Sequence, residues 1–115
     1  MKLLRRRIPL SELKADLMTH FSTMIKAVVD VSEGIMVVDA ELHADQEAFL
    51  LKQGSRQQDL WGINLYPEKP GDEFIEFTSL INIRPSQENP SMEVLDAAIQ
   101  TRIAEIVGVL IDVDS

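Results

Sequence analysis

Cysteine is absent from this 115-residue chain, which excludes disulfides, thiolate metal sites and cysteine nucleophiles and suits a reducing compartment. Aromatic residues make up only 5%, so aliphatic side chains must fill the core. No apolar run approaches the ~20 residues that a membrane-spanning helix needs. Basic residues are outnumbered, 11 Lys and Arg against 19 Asp and Glu. The resulting net charge of −8 repels nucleic acid and anionic membranes. Lys2, Arg5, Arg6 and Arg7 are the one basic cluster. Ile8-Pro9-Leu10-Ser11-Glu12 follows in place of an apolar segment, so an export signal is not expected. The cluster reads as a charged edge strand rather than a phosphate-binding arm. A cytoplasmic location is the expectation. Also missing are a Gly-x-Ser-x-Gly elbow, a P-loop, a His-Glu-x-x-His helix and a dinucleotide glycine pattern.

What is present fits one domain over residues 1–115, with 45% hydrophobic and 26% charged residues. Residues 2–7 read as a short first strand. A helix starts at Pro9 or Ser11, with Ser11 as N-cap, and carries a stripe of Leu13, Leu17, Phe21, Met24 and Ile25. His20 lies beside that stripe. Residues 26–31 are strand-like, and Ser32-Glu33-Gly34 turns the chain into a strand over 35–45. Asp45 then caps a short helix over 46–53, closed by Gly54. Residues 60–66 form a further strand, ended by Pro67, with a turn at Pro70-Gly71. Residues 74–84 show the longest apolar–polar alternation. The last helix, N-capped by Asp96, carries Ile99, Ile103, Ile106, Val107 and Leu110 on one stripe and runs to about Ile111.

Strand periodicity places the candidate site. Over 35–45, Met36, Val38, Ala40, Leu42 and Ala44 fall on one side; Asp39, Glu41, His43 and Asp45 fall on the other. Over 74–84, Ile75, Phe77, Ile81 and Ile83 oppose Glu76, Thr78, Asn82 and Arg84. Turning the apolar sides toward the helices puts Asp39, Glu41, His43, Glu76, Thr78, Asn82 and Arg84 on one open sheet face. If Trp61, Ile63 and Leu65 pack inward, Gly62, Asn64 and Tyr66 join that face. Gly62 then leaves room for a ligand or another backbone to approach.

On that surface His43 is the candidate base, with Glu41 or Glu76 as its carboxylate partner. Asn64, Tyr66, Asn82 and Arg84 are the ligand-binding candidates, and Arg84 with Asn82 could stabilise an anion. Ser79 falls on the apolar side and is a poor nucleophile. Glu41, His43 and Asp45 could offer nitrogen and oxygen to a metal. Alternate strand side chains lie about 6–7 Å apart, and a structural site needs four ligands, so no metal is expected. The bland alternative is a wet or subunit-contacting face held by cross-strand ion pairs of ~0.2–1 kcal/mol each, such as Glu41 or Glu76 with Arg84.

The runs Lys26-Ala27-Val28-Val29-Asp30, Glu41-Leu42-His43-Ala44-Asp45, Gly54-Ser55 with Gln57, Leu60-Trp61-Gly62-Ile63-Asn64-Leu65-Tyr66-Pro67, Phe74-Ile75-Glu76-Phe77 with Ser79, and Ile81-Asn82-Ile83-Arg84-Pro85 carry a resemblance. Together they resemble a small bacterial family catalogued only as a domain of unknown function, over nearly the whole chain. The resemblance implies a small single-domain cytoplasmic protein and no particular activity. Its polar positions match Glu41, His43, Asn64, Glu76, Asn82 and Arg84. The chain departs from it at Asp39-Ala40, where glycines are usual, and at residues 91–95, which replace a more basic stretch containing glycine.

The expected fold is α+β: a mainly antiparallel sheet of four or five strands with the N- and C-terminal helices packed on one face. The 45–58 connection leaves strand order open, since it could make either an antiparallel return or a parallel crossover. The favoured function is a non-enzymatic binding or interaction protein forming a homodimer. Trp61 and Tyr66 would be its anchors toward a partner protein. The competing function is a small hydrolase or metal-dependent enzyme centred on His43 and Glu41. No cofactor is specified, and neither nucleic acid nor membrane is an expected partner.

Overall fold

The computed structural model describes residues 1–115. Two uninterrupted apolar runs, Ala27-Val28-Val29 and Ile35-Met36-Val37-Val38, form its centre. A run with no polar alternate is the pattern of a strand covered on both faces. These runs lie in β3 (Ile25–Asp30) and β4 (Ile35–Val38), which pair antiparallel. In the hairpin between them, Asp30 Oδ1 accepts from the N–H groups of Ser32 and Glu33, and Gly34 takes a φ of +69°. β1 (Lys2–Leu4) pairs with β4, β5 (Leu60–Leu65) with β3, and β6 (Ile75–Glu76) with β5. The order is β1-β4-β3-β5-β6, antiparallel throughout. β2 (Ile8–Pro9) and β7 (Ile111–Asp112) form a separate parallel pair.

One face of the sheet carries α1 (Leu10–Asp16) and α3 (Ala97–Leu110). There Leu13, Leu17, Ile103, Ile106, Val107 and Leu110 pack with Ala27, Val29, Met36, Val38, Trp61, Ile63 and Leu65. The α+β class and the placement of both helices on one face therefore hold. β4 and β5 both run antiparallel to β3, hence parallel to each other, and their connection is a crossover through α2 (His43–Lys52). That helix lies on the opposite face, where Leu50 packs with Val28, Ile35, Val37 and Leu60. The expected open polar face is instead covered along most of its length.

Several boundaries differ from the sequence pattern for local reasons. β1 ends at Leu4, and Arg7 turns away to donate from Nη1 to the carbonyls of Gly108 (2.9 Å) and Val109 (3.1 Å) at the end of α3. α1 starts after Pro9 without a side-chain cap and stops at Asp16. Phe21 and Met24 therefore lie outside any helix, and Ile25 opens β3. Thr19 explains the break: its N–H and Oγ1 both donate to the Asp39 carboxylate, at 3.0 and 2.8 Å. β4 stops at Val38 because Asp39 takes a φ of +67°, a region open mainly to glycine and to short polar residues. The helix then begins at His43, with Leu42 at the N-cap; Asp45 is in its first turn and does not cap it. Gly54 ends α2 as expected, with a φ of +102° and the Ser55 N–H donating to Leu50 O at 3.0 Å. Asp96 caps α3 as expected, Oδ1 accepting from the Ala98 N–H at 2.8 Å.

The alternation over residues 74–84 is not a strand beyond Glu76. Of three short 3₁₀ turns here, the first, Gly71–Glu73, and the third, Pro85–Gln87, flank the stretch, and the second, Leu80–Asn82, breaks it. Ser79 Oγ stabilises the second of these by accepting from the Ile81 N–H.

Candidate functional site

The open end of the α2 face is polar, and it is there that the structure gathers part of the expected site. Three side chains stand in cross-strand register: Lys26 on β3 opposite Asn64 on β5, and Asn64 opposite Glu76 on β6. Asn64 Nδ2 donates to Glu76 Oε1 at 2.7 Å, and Tyr66 Oη donates to the same oxygen at 3.2 Å. Asn64 Nδ2 also reaches Thr78 O at 3.3 Å, while its Oδ1 is buried, closed to solvent beside His43.

His43 comes to this row from the first turn of α2 rather than from a strand. Its Nε2 lies 2.7 Å from Ile63 O. A carbonyl can only accept, so Nε2 carries the proton, and the neutral ring keeps Nδ1 as an acceptor. Ile63 lies one residue beyond the last β5–β6 pair, so the ring takes up a carbonyl near the end of that ladder. Burial holds the His43 pKa below its ordinary value of 6.5, and the Lys26 charge acts the same way; hydrogen bonding to Ile63 and Asn64 offsets part of the shift. Burial also raises the Tyr66 pKa above 10.0, reinforced by the Glu76 charge and hydrogen bond. Gln46, one turn along α2, anchors the helix by donating from Nε2 to Lys26 O (2.7 Å) and Val37 O (3.3 Å).

These groups floor a cavity of about 290 Å³. Lys26, His43, Asn64, Thr78 and Ser79 line its polar part, and Leu42, Leu80 and Met92 line its rim. The rim is apolar yet open to solvent, Leu80 being 72% exposed.

Glu41 is not in this cleft: it lies exposed in the turn between β4 and α2 and forms no ion pair. His43 therefore has no direct carboxylate partner, since Glu76 is engaged by Asn64 and Tyr66. Nowhere do three histidine or acidic side chains converge as metal ligands would.

Asn82 and Arg84 are buried in the framework beside the cleft. Asn82 Oδ1 accepts from the Gly62 N–H at 2.8 Å, and its Nδ2 donates to Gly62 O at 2.9 Å and Met92 O at 3.0 Å. The amide thus replaces a neighbouring strand at Gly62. Arg84 donates to the carbonyls of Ile81 (3.1 Å), Gln57 (2.8 Å) and Leu60, and its guanidinium lies 4.8 Å from the Trp61 ring centroid. Burial lowers its pKa, and the nearby Glu47 carboxylate, 3.6 Å away, opposes that shift.

Gly62 does admit a close approach, and the visitor is Ser79: a Cβ on Gly62 would stand 2.5 Å from Ser79 Cβ. Sequence reasoning gave no site role to Lys26, Gln46 or Asn89. Asn89 holds the loop after Arg84, donating to the carbonyls of Asn82, Ser91 and Glu93 and accepting from the Leu95 N–H. Its sequence signal was the Asn89-Pro90 pair, a turn dipeptide. Lys26 could have been found as the only charged residue inside the strand run of residues 25–29.

The model of one protein family, described as a protein of unknown function, matches residues 2–110. No curated protein and no solved structure matches the chain.

Proposed function

We propose that this chain, which belongs to the family DUF5674, is a non-enzymatic binding protein whose ligand enters the cleft over His43 and Asn64. One observation carries the reading: a cavity of about 290 Å³ has Lys26, His43 and Asn64 on its polar side and an exposed apolar rim of Leu42, Leu80 and Met92. A few polar groups set among apolar ones fix the orientation of a bound ligand. A hydrolase reading has less support, because His43 has neither a carboxylate to orient it nor a hydroxyl bonded to it. Lys26, His43 and Asn64 are the ligand-facing set, with Glu76 and Tyr66 bracing Asn64 from outside the cavity, Glu41 at the margin, and Asn82 and Arg84 fixing the frame.

Homodimerisation belongs to the same proposal. Leu42, Leu80 and Met92 crowd the cleft rim at 52%, 72% and 40% exposure, and a second copy covering them would close the site. Trp61 is buried and cannot anchor a partner, which leaves Tyr66 in that role. The lack of cysteine supports action in the cytoplasm.

The test is a small-molecule panel screened by thermal shift, with hits mapped by amide chemical shifts. Perturbations centred on residues 42–44, 64 and 78–80 support the reading. Hits that map elsewhere, or turnover of a hit by wild type but not by His43→Ala, overturn it. Sedimentation at high concentration tests the dimer. A monomer there removes it, whereas a dimer split by Leu80→Glu supports it.

A further inference from the structure

We infer that the outer edge of β1, together with Arg5 and Arg6 beyond it, is a docking site for an extended acidic segment of another protein. None of these residues lines the cleft. β1 is the terminal strand of its sheet and pairs only with β4. Its other side is uncovered: a hollow of about 300 Å³ runs along Lys2 to Ile8, and no other element lines it. Two hydrogen bonds fix which backbone groups of β1 stay free. The Asp39 N–H donates to Lys26 O at 3.2 Å, and the Val31 N–H donates to Asp59 O at 3.0 Å. By the alternation of antiparallel ladders, Lys26, Val28 and Asp30 therefore bond toward β4, and Val37 spends its groups on Val28. Met36 and Val38 turn the other way, toward Leu4 and Lys2 of β1. Leu3, between those two, points its N–H and carbonyl outward. The N–H and carbonyl of Arg5 bond no other backbone group either. Free groups on alternate residues are what an added strand pairs with.

Charge selects the occupant of this edge. Lys2, Arg5, Arg6 and Arg7 stand together in a chain of net charge −8. Two of them are engaged: Lys2 by Glu12 at 3.3 Å, and Arg7 by Asp112 at 3.6 Å and the carbonyls ending α3. Arg5 and Arg6 are exposed and have neither a carboxylate nor an aromatic ring as partner. Leu3 is half-buried against the cluster of Val28, Ile35, Val37, Leu50 and Leu60, so an aliphatic residue laid beside it extends that cluster. The fitting segment thus carries an aliphatic residue opposite Leu3 and, two and three positions away, carboxylates that meet Arg5 and Arg6. A second copy is the wrong occupant, because pairing two such edges sets their basic clusters side by side. Nucleic acid has no strand backbone to offer Leu3 and is repelled by the net charge of −8. The same cations guard the edge against indiscriminate strand addition, which leaves it open to partners of the opposite sign.

The probes are the blocked peptide Thr-Glu-Glu-Thr-Val-Thr and its reverse, for the two strand directions, both again with lysine for glutamate, the first with proline for valine, and oligothymidylate. Each is titrated into the 15N-labelled full chain, and amide hydrogen exchange is read. Saturable slowing of exchange at Leu3 and Arg5 by an acidic peptide, and none by its lysine form, supports the proposal. Lys2 and Leu4 should not change, because β4 already holds them. Arg5→Glu combined with Arg6→Glu should weaken the acidic peptide about tenfold, the scale of two exposed ion pairs. Both side chains are exposed, so the fold is kept. The proline peptide should bind more weakly, since it denies the Leu3 carbonyl a donor. Equal binding of that peptide shows attraction without strand pairing and overturns the proposal. Equal binding of the lysine form, or protection by oligothymidylate alone, overturns it too. A Leu3 amide already protected in the free chain at high concentration assigns the edge to a second copy instead. Silence toward every probe removes the site and leaves the cleft reading untouched.

Discussion

Asn82 grips Gly62 from both of its backbone groups, Oδ1 accepting the N–H at 2.8 Å and Nδ2 donating to the carbonyl at 2.9 Å. One fully buried side-chain amide thereby supplies what a longer β6 would otherwise provide at the middle of β5. Replacing it with leucine leaves Gly62 N–H, Gly62 O and Met92 O without their partner. The expected loss is about 2–4 kcal/mol, the scale of a broken buried hydrogen-bond network. Urea denaturation of Asn82→Leu should show a lowered midpoint at unchanged slope. The partner residue is as constrained, because a Cβ at position 62 meets Ser79 at 2.5 Å. Gly62→Ala should cost about 1–3 kcal/mol by overpacking, and Ser79→Gly in the same chain should recover part of it.

His43 gives the protein a pH-dependent stability with a defined sign. Its folded pKa lies below 6.5, chiefly because the ring is buried. Well above pH 6.5 the ring is neutral in both states and contributes nothing to the dependence. Below that pH the unfolded chain takes up the proton first, so stability falls as pH falls, and levels off only once the folded ring also titrates. Denaturation midpoints should therefore decline from pH 6.5 downward more steeply in wild type than in His43→Gln. Equal slopes for the two proteins would show that His43 does not govern the decline.

The fold class was legible because two periodicities are strong: the α3 stripe ending in Ile106, Val107 and Leu110, and the two-sided apolar runs of β3 and β4. Those runs also held a warning against an open sheet. Val28 and Val37 face α2, and an exposed face would not carry them. The end of β4 was not legible, since nothing in an alternating pattern marks the positive φ of Asp39. That one residue shifts the chain from strand to helix and separates Glu41 from His43. Asn64 and Glu76 were placed together correctly by register. Asn82 and Arg84 were seen as polar and surface-facing, whereas both spend their donors on backbone carbonyls left open along β5, in the loop at Met92 and in 3₁₀ turns. Carbonyls of irregular segments have no sequence signature, so side chains that satisfy them resemble site residues.

Arg84 should not tolerate lysine. Its fork serves three carbonyls and stacks on Trp61, while a single ammonium can occupy only part of that arrangement. Arg84→Lys also leaves Glu47, 3.6 Å away, less well matched. A loss of about 2–4 kcal/mol is expected from opening such a buried charged network. The loss should come with a change in Trp61 emission in the folded state, because the cation over the ring moves. Unaltered stability would mean that water replaces the guanidinium contacts at little cost.

Asp39 separates backbone strain from side-chain bonding. Its φ of +67° disfavours any residue with a Cβ, while its carboxylate takes two hydrogen bonds from Thr19. Asp39→Gly removes the strain and the bonds together, so the two changes offset and stability should move by less than about 1 kcal/mol. Asp39→Ala keeps the strain and loses the bonds, and should cost about 2 kcal/mol or more. A further consequence follows for the cleft: Asp39 sets where β4 ends, and so where α2 begins. If the alanine variant shifts the His43 and Ala44 amide resonances while the glycine variant leaves them in place, the turn at Asp39 positions the helix start. The reverse pattern would show that the Thr19 bonds, rather than the backbone conformation, hold it.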